Sequence, residues 1–153
     1  MPALELDDGT VLTEGAVIVQ YLADLAPAAG LAPPNGTLAR YQLQSWLNFI
    51  TTELHKSFSP LFNPKTPDEY KTMMREKLVE RFSYVDQQLA KRSFLTGETF
   101  SVADAYLYVM LRWAQAMSFD FGPWPALRRL LEHVGNRPAV AAALDAEKLR
   151  KVA

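Results

Sequence analysis

The chain has 153 residues, 49% hydrophobic and 22% charged, with a formal net charge of −1, enough for one well-buried domain or a domain with part of another. It lacks the basic stripe that nucleic-acid binding needs. No apolar run reaches the roughly 18 residues of a membrane span, and Glu5, Asp7 and Asp8 stand where a signal peptide would be basic and apolar. The absence of cysteine excludes disulfides, thiolate metal sites and a cysteine nucleophile within these residues, and cytoplasm is the expected compartment.

In chain order, Met1-Pro2-Ala3-Leu4-Glu5-Leu6 reads as a strand, Asp7-Asp8-Gly9 as a turn and Thr10-Val11-Leu12 as a second strand. Glu14-Gly15 opens a helix with Val17, Ile18, Tyr21, Leu22 and Leu25 on one side, stopped at Pro27. Residues 27–36 concentrate Pro, Gly and Ala and read as a linker. Long amphipathic helices follow. The first spans about 38–58, with Tyr41, Trp46, Leu47, Ile50 and Leu54 on its apolar face. In the next, Thr66 is expected to cap, Pro67 to take the first helical position and Glu69 to close a capping box. That helix continues through Met73, Leu78, Phe82, Val85 and Leu89 to about Lys91, and others begin at Ser101, Pro125 and Pro138. The expected fold is mainly α: a ββα segment over 1–26, a linker over 27–36 and an all-helical bundle over 37–153. A hairpin of two strands is marginal on its own, so this opening resembles the middle of a domain.

Three local patterns carry a family resemblance. They are Met1-Pro2-Ala3-Leu4 leading to Thr13-Glu14-Gly15, the pair His55-Lys56, and Gly97-Glu98-Thr99-Phe100-Ser101-Val102-Ala103-Asp104. In this order they resemble a bacterial glutathione S-transferase of the beta-class type. The resemblance covers nearly the whole chain and begins partway into that family's thioredoxin-like N-terminal domain, so the ββα segment corresponds to a remnant of it. It implies a transferase that joins the glutathione thiolate to electrophilic, apolar substrates, with glutathione as co-substrate, no other cofactor and no metal. It also implies a homodimer. For these 153 residues alone the expectation is weak or no turnover. The other reading is a non-catalytic helical ligand-binding or protein-interaction module of the same C-terminal type.

By this resemblance Pro2 matches a cis-proline, and the backbone of Met1 pairs with the cysteinyl part of glutathione. Alone, a proline here reads as the start of an edge strand. Glu14 is expected to hold the γ-glutamyl amine and the Gly15 N–H its carboxylate, with glycine where the family usually has serine. The same residues also read as a helix start, with Thr13 as cap and Glu14 favoured by the macrodipole. His55 and Lys56 are expected beside the glutathione sulfur, His55 as a protonated or hydrogen-bonding imidazole. Asn48, seven residues earlier, shares nearly the same face of an α-helix and reaches glutathione of the neighbouring subunit. Phe58, Tyr106 and Trp113 are expected along the hydrophobic co-substrate pocket. Ser101 and Asp104 form a structural capping box, with Asp104 a cap and not a catalytic acid.

Overall fold

A computed structural model of the chain describes residues 2–147. Two short antiparallel strands, β1 (Ala3–Glu5) and β2 (Val11–Thr13), pair with Leu4 opposite Leu12. Gly9 takes φ 82° at their turn, a conformation glycine adopts without a Cβ clash, and Asp8 Oδ1 accepts the Thr10 N–H at 2.9 Å. Leu4 and Leu12 are the partly covered positions of these strands, and α1 (Gly15–Leu25) packs against the hairpin.

The run Gly-Ala-Val-Ile-Val-Gln-Tyr-Leu-Ala-Asp-Leu in α1 is apolar almost all round, and one face of it is used. Ile18 and Ala23 are buried, while Val17, Leu22 and Leu25 stand exposed. The expected apolar side is therefore split between core and surface. The proline-rich stretch that follows carries structure of its own. A 3₁₀ turn, Pro27–Ala29, ends on Gly30 in the left-handed conformation. The Arg40 guanidinium, almost wholly buried, then ties the stretch together. It donates to both Asp24 carboxylate oxygens at 2.8 Å and to the Pro33 carbonyl at 3.0 Å. A bidentate pair of this kind fixes orientation as well as distance.

The long helix predicted over 38–58 is one continuous run of three parts. These are α2 (Leu38–Phe49), a π-helical segment (Ile50–His55) and α3 (Lys56–Phe62). Leu43, Leu47, Ile50, Leu54 and Phe58 form its buried face, and Tyr41, expected among them, is exposed. Next comes α4 (Asp68–Leu89), burying Leu78, Phe82, Val85 and Leu89, with Met73 turned to solvent. Its predicted capping box does not form. Pro67 occupies the cap position in an extended conformation and no side chain caps the helix. The Thr66 N–H is already engaged by the Asn63 carbonyl, which places Thr66 in the preceding turn, one residue too early for the cap.

Helix α5 (Val102–Ala116) runs through the centre and buries eight of its residues. Its start is the capping box expected at Ser101 and Asp104. Asp104 Oδ2 accepts the Ser101 N–H at 2.8 Å and the Ser101 hydroxyl at 2.7 Å, while Oδ1 accepts the Leu95 N–H at 2.8 Å. One carboxylate thereby closes the helix and pins the loop before it. Burial pushes the Asp104 carboxyl above its ordinary value, and those hydrogen bonds pull the other way. Helix α6 (Pro125–Gly135) starts on Asp86 of α4, whose Oδ1 accepts the Ala126 and Leu127 N–H groups. Helix α7 (Pro138–Ala146) completes the described bundle.

Candidate glutathione site

The π-helical segment places the histidine. A π turn closes through i→i+5 bonds, so it holds one residue more than an α turn. Inside it, Thr51 Oγ1 donates to the Leu47 carbonyl at 2.8 Å and Thr52 Oγ1 to the Asn48 carbonyl at 3.1 Å. Ser57 Oγ donates to the Glu53 carbonyl at 2.8 Å. Hydroxyls thus supply partners to carbonyls where the regular ladder is disturbed. Glu53 anchors the segment to α4 through Arg81 at 2.9 Å and Lys77 at 3.4 Å.

His55, at the end of this segment, is partly buried. Its Nδ1 lies 2.6 Å from the hydroxyl of Tyr106 on α5. Trp113, two turns further along α5, meets the imidazole edge-on, with ring centroids 4.9 Å apart and planes at 89°. Burial pushes the His55 imidazole below its ordinary value. Glu14 acts against this, and Lys56 adds to it. Of the two forms expected from sequence, the neutral, hydrogen-bonding imidazole is therefore favoured near pH 7, and the protonated one is not. Lys56 is exposed and makes no ion pair among the described residues.

Glu14 occupies the mouth of α1 in a strained backbone, φ 67° and ψ 112°. Positive φ is uncommon for a residue other than glycine, and such strain amounts to about 1–3 kcal/mol. Glu14 is itself the cap residue, and neither it nor Thr13 makes a side-chain capping bond. The capping role expected of Thr13 is not realised, because Thr13 ends β2. The Glu14 side chain is exposed, and its charge acts on both His55 and Tyr106. Gly15 and Pro2 lie side by side: a Cβ on Gly15 would stand 3.5 Å from Pro2 Cγ. Met1, and with it the bond joining it to Pro2, lies outside the described residues.

Other expected residues divide between site and core. Asn48 is exposed on α2, and the π segment shifts its phase relative to His55, so the straight α-helical alignment of the two does not hold. Phe58 is fully buried. It packs against Phe82, Trp113 and Phe119 and offers no surface to a co-substrate, because the inward face of the helix carries it into the core. Phe62, one turn later, is the half-exposed ring on that side. It meets Trp113 edge-on at 5.0 Å and has no place among the residues expected from sequence. Tyr106 is expected along the pocket wall, and its hydroxyl is engaged by His55. Ser101 and Asp104 are buried and remain structural. A cavity of about 490 Å³ opens between the end of α1, residues 27–34 and the loop before α5, on neither the His55 nor the Glu14 side.

Residues 49–138 match the model of the glutathione S-transferase C-terminal domain. Along its sequence the chain is 45% identical over 150 residues to glutathione S-transferase GstA of Escherichia coli O157:H7, covering 98% of this chain and 75% of that protein. The chain belongs to the glutathione S-transferase family. Among solved structures it is similar to the ternary complex of BphK, a bacterial glutathione S-transferase, with TM-score 0.96 and 52% identity over 97% of this chain and 74% of that one. A sphingomonad glutathione S-transferase complexed with glutathione gives TM-score 0.93 and 48% identity with the same coverage. The chain thus spans about three quarters of the length of these relatives. Its function is that of a glutathione transferase, an enzyme whose co-substrate is glutathione. No described helix of this glutathione S-transferase is long and apolar enough to cross a membrane.

Proposed function

We propose that glutathione lies across the mouth of α1 with its sulfur toward the π-helical segment. Glu14 holds the γ-glutamyl ammonium, and the Gly15 N–H holds the adjoining carboxylate at a helix N-terminus, where backbone donors are unpaired. The backbone of Met1 beside Pro2 pairs with the cysteinyl unit. His55 meets the sulfur as a hydrogen-bond partner, and Lys56 contributes positive charge toward a net anionic peptide. Tyr106, Trp113 and Phe62 border the co-substrate side. The thiol proton leaves to solvent, and the sulfur lone pair forms the new carbon–sulfur bond. The leaving group departs with its own bonding pair. A single observation supports this reading: Glu14, at the strained start of α1, stands near enough to His55 and Tyr106 for its charge to act on both.

The division into a ββα segment over 1–26, a linker over 27–36 and a helical domain over 37–153 belongs to the same proposal, with residues 148–153 outside the described part. So does a cytoplasmic location, which a cysteine-free composition suits. A homodimer is the proposed assembly, with Asn48 facing the glutathione of the second copy. The half-exposed cluster of Trp46, Phe49 and Tyr84, with centroids 5.4–6.2 Å apart on α2 and α4, supports it.

Titration calorimetry with glutathione tests the site. Binding by the wild-type chain, weakened at least tenfold in Glu14→Ala and in His55→Ala, is the expected result. Unchanged affinity in both variants would refute the residue roles and favour a helical binding module. Turnover with an aromatic electrophile, measured alongside, tests the expectation of weak activity for these residues alone.

A further inference from the structure

We infer that Tyr106 is a positioning residue: its hydroxyl donates to His55 Nδ1, which fixes the imidazole proton on Nε2 and turns an N–H donor toward the cleft.

The donor is identified by acidity. Tyr106 Oη and His55 Nδ1 stand 2.6 Å apart, so one of the two donates to the other. A phenol is a far stronger acid than a neutral imidazole N–H, and the bare imidazole nitrogen is the better acceptor. Burial, the leading influence on Tyr106, holds its proton on the oxygen. A competing arrangement exists. Thr51 stands beside the Tyr106 hydroxyl, and its own proton goes to the Leu47 carbonyl at 2.8 Å, leaving its oxygen as an acceptor. Were Tyr106 to donate to Thr51, it would have to accept from Nδ1–H, and Nε2 would be left bare. The greater acidity of the phenol disfavours that arrangement.

The ring is held as well as its proton. Trp113 and Tyr106 both meet the imidazole edge-on, at 4.9 and 5.7 Å between centroids, so the ring cannot turn over to exchange its nitrogens without displacing an aromatic neighbour. Nε2 has no hydrogen-bond partner among the described residues and is not buried, and the charged groups acting on the ring include Glu14 and Lys56. A fixed Nε2–H suits an anionic or lone-pair acceptor. Under the proposed function that acceptor is the glutathione sulfur, so this consequence, though not the tautomer itself, rests on the glutathione reading.

Long-range ¹⁵N–¹H correlation spectra of the imidazoles decide the matter, with His133→Asn assigning the two histidines. The expected wild-type spectrum has a bare, hydrogen-bonded Nδ1 and a protonated Nε2 on His55. Tyr106→Phe is expected to give a mixture of tautomers, a change that a purely packing role for the ring would not produce. A wild-type spectrum with the proton on Nδ1, or a Tyr106→Phe spectrum with the tautomer unchanged, would overturn the inference. Glutathione is then added to the same wild-type sample, where a shift of the Nε2–H resonance is expected. Absence of any binding would refute the glutathione reading, while the spectrum of the ligand-free chain still decides the tautomer.

Discussion

Asp104→Ala removes one carboxylate that serves three donors: the backbone N–H groups of Leu95 and Ser101, and the Ser101 hydroxyl. Asp104 has no exposed surface and Leu95 has 1%, so water cannot readily replace the lost acceptor. A buried donor left bare costs about 1–3 kcal/mol, so two backbone groups set a gross loss of roughly 2–6 kcal/mol. Two effects reduce it. The alanine variant no longer pays for burying the carboxyl, a burden evident in the upward push on its pKa, and the Ser101 hydroxyl can turn to another acceptor. The expected net loss is about 3 kcal/mol, within the range for broken buried networks. For a chain of this size that corresponds to a melting point lower by roughly 6–12 °C. Equilibrium urea unfolding measures it as a fall in midpoint at unchanged slope. Ser101→Ala keeps the Ser101 N–H bond to Oδ2 and is expected to lose about 1 kcal/mol. A loss under about 1 kcal/mol in Asp104→Ala, or equal losses in both variants, would refute the three-donor account.

At Glu14, where φ is 67°, alanine keeps the strain and glycine relieves it, so Glu14→Gly should be more stable than Glu14→Ala by about 1 kcal/mol in urea unfolding. Equal stabilities would remove the strain argument. Gly15→Ser is expected to fold normally, since its Cβ meets Pro2 Cγ at an ordinary 3.5 Å, and to bind glutathione more tightly through the added hydroxyl. Calorimetry that finds weaker binding would contradict the site. The lowered His55 pKa has a definite sign: neutral His55 contributes stability that is fully present above the unfolded value of 6.5 and is lost as pH falls through the folded one. The wild type should therefore lose stability relative to His55→Gln as pH drops from about 7.5 to 5.5. A pH-independent difference in urea midpoint would show that the ring titrates as in the unfolded chain. Asp24→Ala deprives the buried Arg40 of its bidentate partner and should speed limited proteolysis within 27–36. An unchanged cleavage rate would show that Arg40 does not hold that segment.

The parts legible in the sequence are those governed by neighbours along the chain. The Asp-Asp-Gly turn, the Ser101–Asp104 box and the helix stop at Pro27 each depend on residues within a few positions, and each stands where expected. Thr66 failed for a reason that is also local but competitive: Asn63 holds its N–H, leaving none for Glu69 to close a box on, and Pro67 takes the cap position. The π-helical segment had no such signal. Ile50-Thr51-Thr52-Glu53-Leu54-His55 is compatible with an ordinary α-helix, and its wider turn is tied to α4 through residues more than twenty positions away. The pairing of His55 with Tyr106, 51 residues apart, lies equally beyond local pattern. By sequence, His55 is expected beside the sulfur and Tyr106 along the co-substrate pocket, and nothing in the local pattern joins the two. Phe58 shows the opposite failure, because an aromatic at helical spacing was credited to a pocket when its burial makes it core.

The π-helical segment also gives the site a length. Between Leu47 and Phe58, both buried against the same core, the chain accommodates an extra residue without breaking the helix. A relative that closed this turn as regular α-helix would need one residue fewer here to keep both anchors inward. With the same number, a different side chain would stand where His55 now meets Tyr106 and Trp113. Insertions and deletions of single residues in this stretch should therefore discriminate among relatives more sharply than substitutions do, since they change which residue meets Tyr106 and Trp113 before they change its chemistry.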